Sequence, residues 1–254
     1  EALWPLCHIV YVKPKFDEAD WLIYKSVNQK FANVVLEEVG NEKAFVFIQD
    51  YHFTLLPKML KESRPDLLVA QFWHIPWPNR EAFRICPWGH EILEGLLGND
   101  LMGFHVQYHC NNFLDTVDRN LESRIDYGKF TATKGGKTTH VRPFPISIDF
   151  EELNLLSQEK DVENEMVRMK RELGLKGQII GVGLDRVDYT KGIPERFKAI
   201  DRFLEKYPEY RNKFTFIQAG TISRIHIEDY RDCNDTIYDL MNEINHKYHV
   251  KGIV

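Results

Sequence analysis

The chain has 254 residues, which is enough for one large domain or two modest ones. Hydrophobic residues make up 43% of it and aromatic residues 13%, a composition typical of a globular protein with a sizeable core. The net charge of -5 gives no electrostatic reason to expect nucleic acid or an anionic membrane as a partner, and no run approaches the roughly 20 apolar residues that span a bilayer.

Short apolar runs alternate with longer amphipathic stretches in the first part of the chain. The short runs predict buried strands, and apolar residues three and four positions apart predict helices. In chain order, the patterns predict a helix over 17–34, a strand over 44–48, a helix over 55–61, a strand over 67–72, a helix over 90–97, a strand over 101–106, a helix through 113–117 and a hairpin that turns at 135–136.

Pro143 and Pro145 interrupt this pattern, and an acidic stretch follows them. Beyond it, the patterns predict a helix over 167–173, a strand over 178–183, a helix over 194–206, a strand over 214–218 and a helix over 227–248. Strands that alternate with helices indicate parallel sheets covered on both faces. The sequence therefore predicts an α/β fold with two domains, 1–146 and 147–254.

The cysteines are scattered along the chain without paired spacing. They are Cys7, Cys86, Cys110 and Cys233. This spacing in an acidic, enzyme-like chain indicates reduced thiols, so we expect a cytoplasmic protein. The first residues lack the basic and then apolar segments of a signal peptide. Because the chain starts without Met and stops where another strand would open, we expect a piece of a longer polypeptide.

Polar or charged residues follow the predicted strands directly. In open parallel sheets, ligands bind beyond the carboxyl ends of the strands, so these residues are candidates for a site. They are Asp50, Tyr51 and His52, then Trp73 and His74, then His105, then the segment 186–191, and finally Ser223 and Arg224.

The segment from Gly183 to Pro194 carries the strongest chemical signal. It places Arg186 and Lys191 in a polar loop after a strand, and Gly192 and Pro194 open the helix that follows. Free amides at a helix start and two cations form an anion site, which would stabilise a departing diphosphate as its charge develops. The chemistry alone supports equally a solvated loop in which Arg186 pairs with a neighbouring aspartate.

Several motifs occur in the order found in the trehalose-6-phosphate synthase family. The segment 183–194 resembles the family's strand, loop and helix that bind the donor diphosphate. The other matching segments are Asp50-Tyr51-His52, Phe72 to Pro78 for the family's His-Ile-Pro-Phe-Pro, 144–149 for its Phe-Pro-Ile-Gly-Ile-Asp, 91–105, and Ser223-Arg224. Together they cover essentially the whole chain, so the sequence is similar to this family.

The resemblance implies a GT-B fold, in which two Rossmann-like domains with parallel sheets face a cleft. Residues 1–146 would form the acceptor-side domain without its start, and 147–254 the nucleotide-sugar side without its end. The implied roles are donor binding by His74, Arg186 and Lys191, acceptor binding by Trp4, Asp50 and Arg224, and catalysis by Arg186, Lys191 and Asp50.

The resemblance also implies a reaction, the transfer of glucose from UDP-glucose or another nucleoside diphosphate glucose to glucose-6-phosphate with retention of configuration. The product would be trehalose-6-phosphate, and the leaving diphosphate would help to deprotonate the acceptor hydroxyl. No metal or other cofactor is implied, because the family has arginine and lysine where other transferases have a cation. Neither nucleic acid nor a membrane is an expected partner, and a homo-oligomer is possible.

Departures from the family pattern leave the acceptor open. Ile48-Gln49 stand in place of Val-His, Trp77 in place of Phe, and Ser147 in place of Gly. We expect Trp77 to lie beside the active-site edge, where it would reshape the acceptor pocket. One alternative is therefore a glucosylglycerol-phosphate synthase that uses glycerol-3-phosphate. Another is a non-catalytic sensor of sugar phosphates.

Parts of the family's active site would lie outside this chain. An acceptor-binding glycine-rich loop would precede it, and the residues that contact donor glucose and ribose would follow it. We therefore expect half a site and little or no activity from these residues alone.

Structural alternatives compete with the roles given above. His74 could be a core histidine, and Asp50 could cap the next helix. His105 and His109 have the spacing of metal ligands on a helix, but no third ligand is evident, so we expect no metal. The charges at 195–196 predict a solvated helix face. The sequence contains no Gly-x-Ser-x-Gly elbow, and no opposed pair of carboxylates is evident. It therefore does not indicate a hydrolase.

Overall fold

The computed structural model describes residues 2–10 and 12–248. The chain divides into two compact units between Ser147 and Ile148, one residue after the boundary expected from the sequence. Each unit has its own sheet and its own hydrophobic core. No helix in the described ranges combines the length and the apolar character that a membrane crossing requires.

The first unit is built around a six-stranded sheet. Its helices are α1 (Leu3–His8), α2 (Glu18–Val39), α3 (Leu56–Ser63), α4 (Arg80–Phe83), α5 (Gly89–Leu96) and α6 (Gln107–Asn120). Its strands are β1 (Phe45–Gln49), β2 (Leu68–Trp73), β3 (Leu101–Phe104), β4 (Arg124–Asp126), β5 (Thr131–Lys134) and β6 (Lys137–Pro143). The order is β1-β2-β3-β6-β5-β4, in which the first four strands are parallel and the last two pair antiparallel.

The second unit contains a parallel pair of strands, and one of them has an open face, since Val182 and Leu184 are 69% and 80% exposed. The prediction of sheets covered on both faces is therefore wrong for this unit. The strands are β7 (Ile179–Arg186) and β8 (Phe214–Thr221), and the helices are α7 (Phe150–Ser157), α8 (Lys160–Glu172), α9 (Ile193–Lys206) and α10 (Glu228–Tyr248). The predicted α/β class with mostly parallel strands is confirmed. The hairpin predicted at 135–136 is also confirmed, because both glycines have the positive φ that a tight turn needs.

Helix α7 is an element that the sequence patterns missed. Asp149 caps it, and the Asp149 carboxylate accepts a hydrogen bond from the Glu152 amide at 3.0 Å. None of the α7 side chains is buried. The apolar residues Phe150, Leu153 and Leu156 have helical spacing, but we interpreted the segment only as an acidic stretch.

The prediction that β1 is buried on both faces is wrong. Ile48 packs into the core, but Phe45 and Phe47 on the opposite face are 65% and 56% exposed. Strand β1 is the edge of the sheet, and this face of β1 and β2 forms an open apolar hollow. The apolar run was therefore a correct signal for a strand and a poor one for burial.

Trp77 lies in the core of the first unit, which contradicts its predicted place at the active-site edge. It is 1% exposed, and its ring lies 4.9 Å from the rings of both Phe83 and Phe113. Helix α6 holds it further, because the indole N–H donates to Thr116 Oγ1 at 3.1 Å and Asn112 donates to its backbone carbonyl. The chain after β2 thus turns Trp77 under α6 and away from the strand ends.

The cysteine thiols are all buried and unpaired. The prediction of free thiols is therefore confirmed. Burial raises the pKa of both Cys86 and Cys110 to about 11, so neither has the lowered pKa of a reactive thiolate.

A bridge of three charged groups ties α3, α5 and β5 together. Glu94 accepts from Lys58 at 2.8 Å and from Lys134 at 2.9 Å. The hydrogen bond from Lys58, and after it the one from Lys134, lowers the pKa of Glu94 from its ordinary 4.5 to about 2. A lowered folded-state pKa stabilises the fold above the unfolded value, and this contribution disappears as the pH falls towards the folded value.

We expect the stability difference between the wild type and Glu94→Gln to shrink as the pH falls from about 5 to about 3. The reason is that the wild type loses the paired carboxylate while the variant has none to lose. Urea unfolding at a series of pH values measures this difference. Glu37→Gln, at an exposed position on α2, is the matched control and should show no such trend. A difference that stays constant over this range would contradict the assignment.

Candidate functional site

Asp50 directly follows β1 and begins a short 3-10 helix, Asp50–Phe53. Its φ is 60°, in the left-handed region that aspartate enters more readily than most residues. Gln71 Nε2 donates to the Asp50 carbonyl at 2.8 Å, and the His74 amide donates to Asp50 Oδ1 at 3.1 Å. The carboxylate therefore joins the ends of β1 and β2 and does not cap the following helix, where the cap position is Gln49.

A buried amide pair supports Asp50 from below. Gln71 and Asn99 are both almost fully buried, and Asn99 Nδ2 donates to Gln71 Oε1 at 3.0 Å. This bond orients the Gln71 amide so that its N–H group faces the Asp50 carbonyl. Neither residue was predicted as part of the site, although Gln71 inside the apolar run 67–72 was an available signal. A buried polar side chain needs a partner, and here the partner is the strained residue.

His74 lies on the surface at the end of β2, so the core-histidine alternative is wrong. Its ring Nε2 is 2.7 Å from Gln49 Oε1 at the end of β1. The His105 ring, at the end of β3, lies 5.7 Å from the His74 ring, and Phe72 lies 4.6 Å from it. The ends of three parallel strands thus converge on His74, as the strand-end rule predicts.

Trp4 reaches the same region from α1. Its ring is half-buried and lies 6.2 Å from the ring of Tyr51, the neighbour of Asp50 in the chain. His8 packs on its other side, with ring centroids 4.1 Å apart. In the first unit the structure therefore brings together the three predicted site residues Trp4, Asp50 and His74.

Arg186 belongs to β7 and not to the loop in which we placed it. The strand continues because Asp185 pairs with Gly220 and Arg186 with Thr221 in the parallel ladder. The Arg186 side chain is 51% exposed, and its Nη2 lies 4.0 Å from Asp188 Oδ2, beyond hydrogen-bond distance. The alternative in which Arg186 is neutralised by a neighbouring aspartate is therefore weak.

Arg196 pairs with the carboxylate of Asp185, which could otherwise have paired with Arg186. Its Nη1 donates to Asp185 Oδ2 at 2.8 Å and to Gln218 Oε1 at 2.7 Å. The prediction of a solvated helix face is therefore wrong for this residue. Position 196 lies between the buried Ile193 and Phe197 in the first turns of α9, so its side chain can turn back to the strand ends.

Lys191 ends a 3-10 helix, Tyr189–Lys191, and its side chain is exposed. Gly192 follows with a φ of 62° and offers no capping side chain to α9. Free amides at the start of a helix, next to a lysine and an arginine, attract anions. Arg186 and Lys191 both belong to the segment that leads from β7 to α9, and the anion site there stays a prediction.

Asp188 organises this site, a role that the sequence did not reveal. It is 1% exposed, its Oδ1 accepts from the Thr190 amide, and its carbonyl accepts from the Lys191 amide. Its Oδ2 accepts from the Tyr230 hydroxyl at 3.3 Å, and Arg224 Nη1 donates to the same hydroxyl at 2.7 Å. Asp188 thus contacts the backbone at Lys191, is linked to Arg224 through Tyr230, and lies 4.0 Å from the Arg186 guanidinium.

His109 does not act with His105 as a metal ligand pair. Its Nδ1 lies 3.3 Å from the Trp77 amide nitrogen and 3.2 Å from the Trp77 carbonyl, and burial lowers its pKa. Within 2–10 and 12–248, no three histidine, cysteine or acidic side chains are grouped as metal ligands.

Comparison with known proteins gives consistent matches along the chain. The model of glycosyltransferase family 20 matches residues 1–253. The trehalose-6-phosphate synthase of Mycolicibacterium smegmatis is 37% identical over 97% of this chain and 50% of its own length. The UDP-forming alpha,alpha-trehalose-phosphate synthase of Schizosaccharomyces pombe is 33% identical over 97% and 48%. The chain thus spans about half the length of these curated relatives.

Solved structures give the same picture. An E. coli structure, described as trehalose-6-phosphate bound with UDP-2-fluoro glucose, superposes with a TM-score of 0.88 at 29% identity. The alpha,alpha-trehalose-phosphate synthase of Burkholderia xenovorans in complex with glucose-6-phosphate gives 0.89 at 26%. Each match covers 97% of this chain and 54% of the solved one.

Proposed function

This chain belongs to glycosyltransferase family 20, and from that premise we propose that the protein carrying it is an alpha,alpha-trehalose-phosphate synthase. It transfers glucose from UDP-glucose to glucose-6-phosphate with retention of configuration. The family match confirms the resemblance inferred from the motifs. The GT-B arrangement of the units, with the acceptor side in 1–146 and the nucleotide-sugar side in 147–254, is part of the proposal.

The observation that carries the proposal is the pair of cations that flank Asp188 in the chain. Arg186 and Lys191 stand at the end of β7 and the start of α9, where the helix amides also favour an anion. A nucleoside diphosphate is an anion of this kind, and a relative is described with a UDP sugar bound. The cations stabilise the diphosphate most when the bond to glucose breaks and negative charge develops on it.

We assign acceptor binding to residues of each unit separately. The Trp4 indole offers an apolar surface to a sugar ring, and the Asp50 carboxylate accepts hydrogen bonds from sugar hydroxyls. Arg224 supplies a guanidinium for the acceptor phosphate, oriented by Tyr230. The complex of a relative with glucose-6-phosphate supports this acceptor.

The position of Trp77 in the structure does not support a different acceptor. Trp77 was the departure from the family pattern that would have reshaped the pocket, but it is a core residue beneath α6. Its replacement of phenylalanine therefore changes packing and not the site surface. This favours glucose-6-phosphate over glycerol-3-phosphate.

The reaction proceeds on one face of the donor sugar. The bond from the anomeric carbon to the diphosphate oxygen breaks as the bond to the acceptor oxygen forms on the same face. The acceptor hydroxyl gives its proton to the leaving phosphate oxygen, so the products are UDP and trehalose-6-phosphate. Arg186 and Lys191 supply the positive charge that the leaving group needs, and the proposal requires no metal for this step.

The compartment and assembly are also part of the proposal. The four unpaired thiols support a reducing compartment, and we place the protein in the cytoplasm. A homo-oligomer remains a prediction from the resemblance alone. The partners are the two small-molecule substrates.

Product analysis tests the proposal. The natural polypeptide that carries this chain is incubated with UDP-glucose and either glucose-6-phosphate or glycerol-3-phosphate. We expect UDP release and trehalose-6-phosphate with the first acceptor. Faster turnover of glycerol-3-phosphate would favour the glucosylglycerol-phosphate synthase. Sugar-phosphate binding without turnover of either acceptor would favour the sensor.

A further inference from the structure

Gln49 makes a contact that neither the strand-end rule nor the resemblance assigns. It is the last residue of β1, it is exposed, and its Oε1 lies 2.7 Å from Nε2 of His74. In the parallel register Gln49 lies beside Phe72, so the contact bridges the ends of β1 and β2. The family pattern has histidine at this position.

The orientation of the Gln49 amide determines which ring nitrogen of His74 is protonated. Its carbonyl oxygen, and not its amide nitrogen, faces Nε2, and a carbonyl oxygen only accepts hydrogen bonds, so Nε2 carries the hydrogen. A neutral imidazole has one N–H group, and consequently Nδ1 of His74 has a lone pair and no hydrogen. The hydrogen bond that His74 donates to Gln49 thus leaves Nδ1 as the ring atom that can accept from a ligand.

A second bond fixes where the ring sits. The His74 amide donates to Asp50 Oδ1 at 3.1 Å, so the backbone and the ring tip of His74 are held by consecutive residues of the chain. Phe72 and His105 pack at angles of 62° and 65° to the His74 ring and limit its rotation. Within the described ranges, no hydrogen bond to His74 Nδ1 is formed.

We propose that Gln49 is a positioning residue that holds His74 as the Nε2–H tautomer, so that Nδ1 accepts a hydrogen bond from a hydroxyl of the donor sugar. His74 then recognises a hydrogen-bond donor on the ligand and does not contact a phosphate oxygen, which can only accept. The identity of the ligand rests on the proposed function. The tautomer does not, because it follows from the contact between two protein side chains.

Nitrogen-15 NMR of the histidine rings tests the tautomer. At about pH 8.5 imidazole is neutral, and the protonated and bare ring nitrogens resonate far apart. The His74 signals are assigned by their loss in His74→Gln. We expect a protonated Nε2 whose hydrogen exchanges slowly in the wild type and in Gln49→Glu, because both side chains accept. In Gln49→Met the slow exchange should be lost.

The control is Gln29→Met, at an exposed glutamine on α2 whose side chain donates to Asn33. It should leave the His74 signals unchanged. A bare Nε2 in the wild type, or slow exchange that persists in Gln49→Met, overturns the proposal. Because Gln49 is exposed, its replacement leaves the core intact.

Donor analogues test the ligand. UDP-glucose derivatives in which one sugar hydroxyl is replaced by fluorine keep an acceptor and lose a hydrogen-bond donor. We expect one of them to bind the wild type about 10-fold more weakly than UDP-glucose, and this gap to close in Gln49→Met. Equal binding of all derivatives would overturn the hydroxyl assignment. If UDP-glucose itself fails to bind, the proposed function fails while the tautomer result stands.

Discussion

Replacing Arg186 with alanine should lower kcat/KM for glucosyl transfer by at least about 10²-fold. The guanidinium lies at the end of β7, is half exposed and has no hydrogen-bonded carboxylate that would neutralise it within the described residues. It is therefore available to bind two phosphate oxygens. The loss falls mainly on kcat, because the diphosphate gains charge as it leaves. Steady-state kinetics of the natural polypeptide measure both parameters.

Two further variants sharpen this test. Arg186→Lys keeps the charge but loses the two-pronged geometry, so its activity should lie between those of the wild type and the alanine variant. Arg202→Ala is the matched control, since Arg202 is a surface residue of α9 paired with Glu205. It should retain full activity. Near-normal turnover by Arg186→Ala would exclude the proposed role in stabilising the leaving group.

Replacing Trp77 with alanine should destabilise the first unit by about 3–5 kcal/mol. The substitution removes a tryptophan side chain from a closed aromatic cluster and the hydrogen bond from the indole to Thr116. The cavity cannot collapse easily, because α4 and α6 pack against it through Phe83 and Phe113. Urea unfolding followed by fluorescence measures the change.

Tyr108→Ala provides the control for this prediction. Tyr108 is an exposed aromatic residue on α6, so its loss should change the unfolding free energy by no more than about 0.5 kcal/mol. The milder Trp77→Phe should leave the KM for the acceptor unchanged. A changed acceptor KM in Trp77→Phe, with unchanged stability, would mean that Trp77 shapes the pocket after all.

The sequence predicted longer elements better than short ones. Strand β2 and helix α9 were both found close to their observed bounds. The short helices α1, α4 and α7 were missed. Burial was harder to predict than secondary structure, because an apolar run such as β1 shows only that a strand is favoured. Whether another element covers each face depends on the packing of distant segments.

The site was predictable only in part, for a related reason. The strand-end rule found Asp50, His74 and Lys191, because their position depends on local order along the chain. The role of Asp188 was missed because its contact with Tyr230 joins residues 42 positions apart. Periodicity also could not show that Arg196 turns back toward the strand ends, because either orientation fits the same helical pattern.

The configuration of the product is the most direct test of the proposed function. The natural polypeptide is supplied with UDP-glucose and glucose-6-phosphate, and the anomeric signals of the product are recorded by proton NMR while UDP is measured. We expect an α,α-linked trehalose-6-phosphate and UDP in equal amounts. A β configuration at the transferred glucose, or glucose transfer without matching UDP, would contradict it.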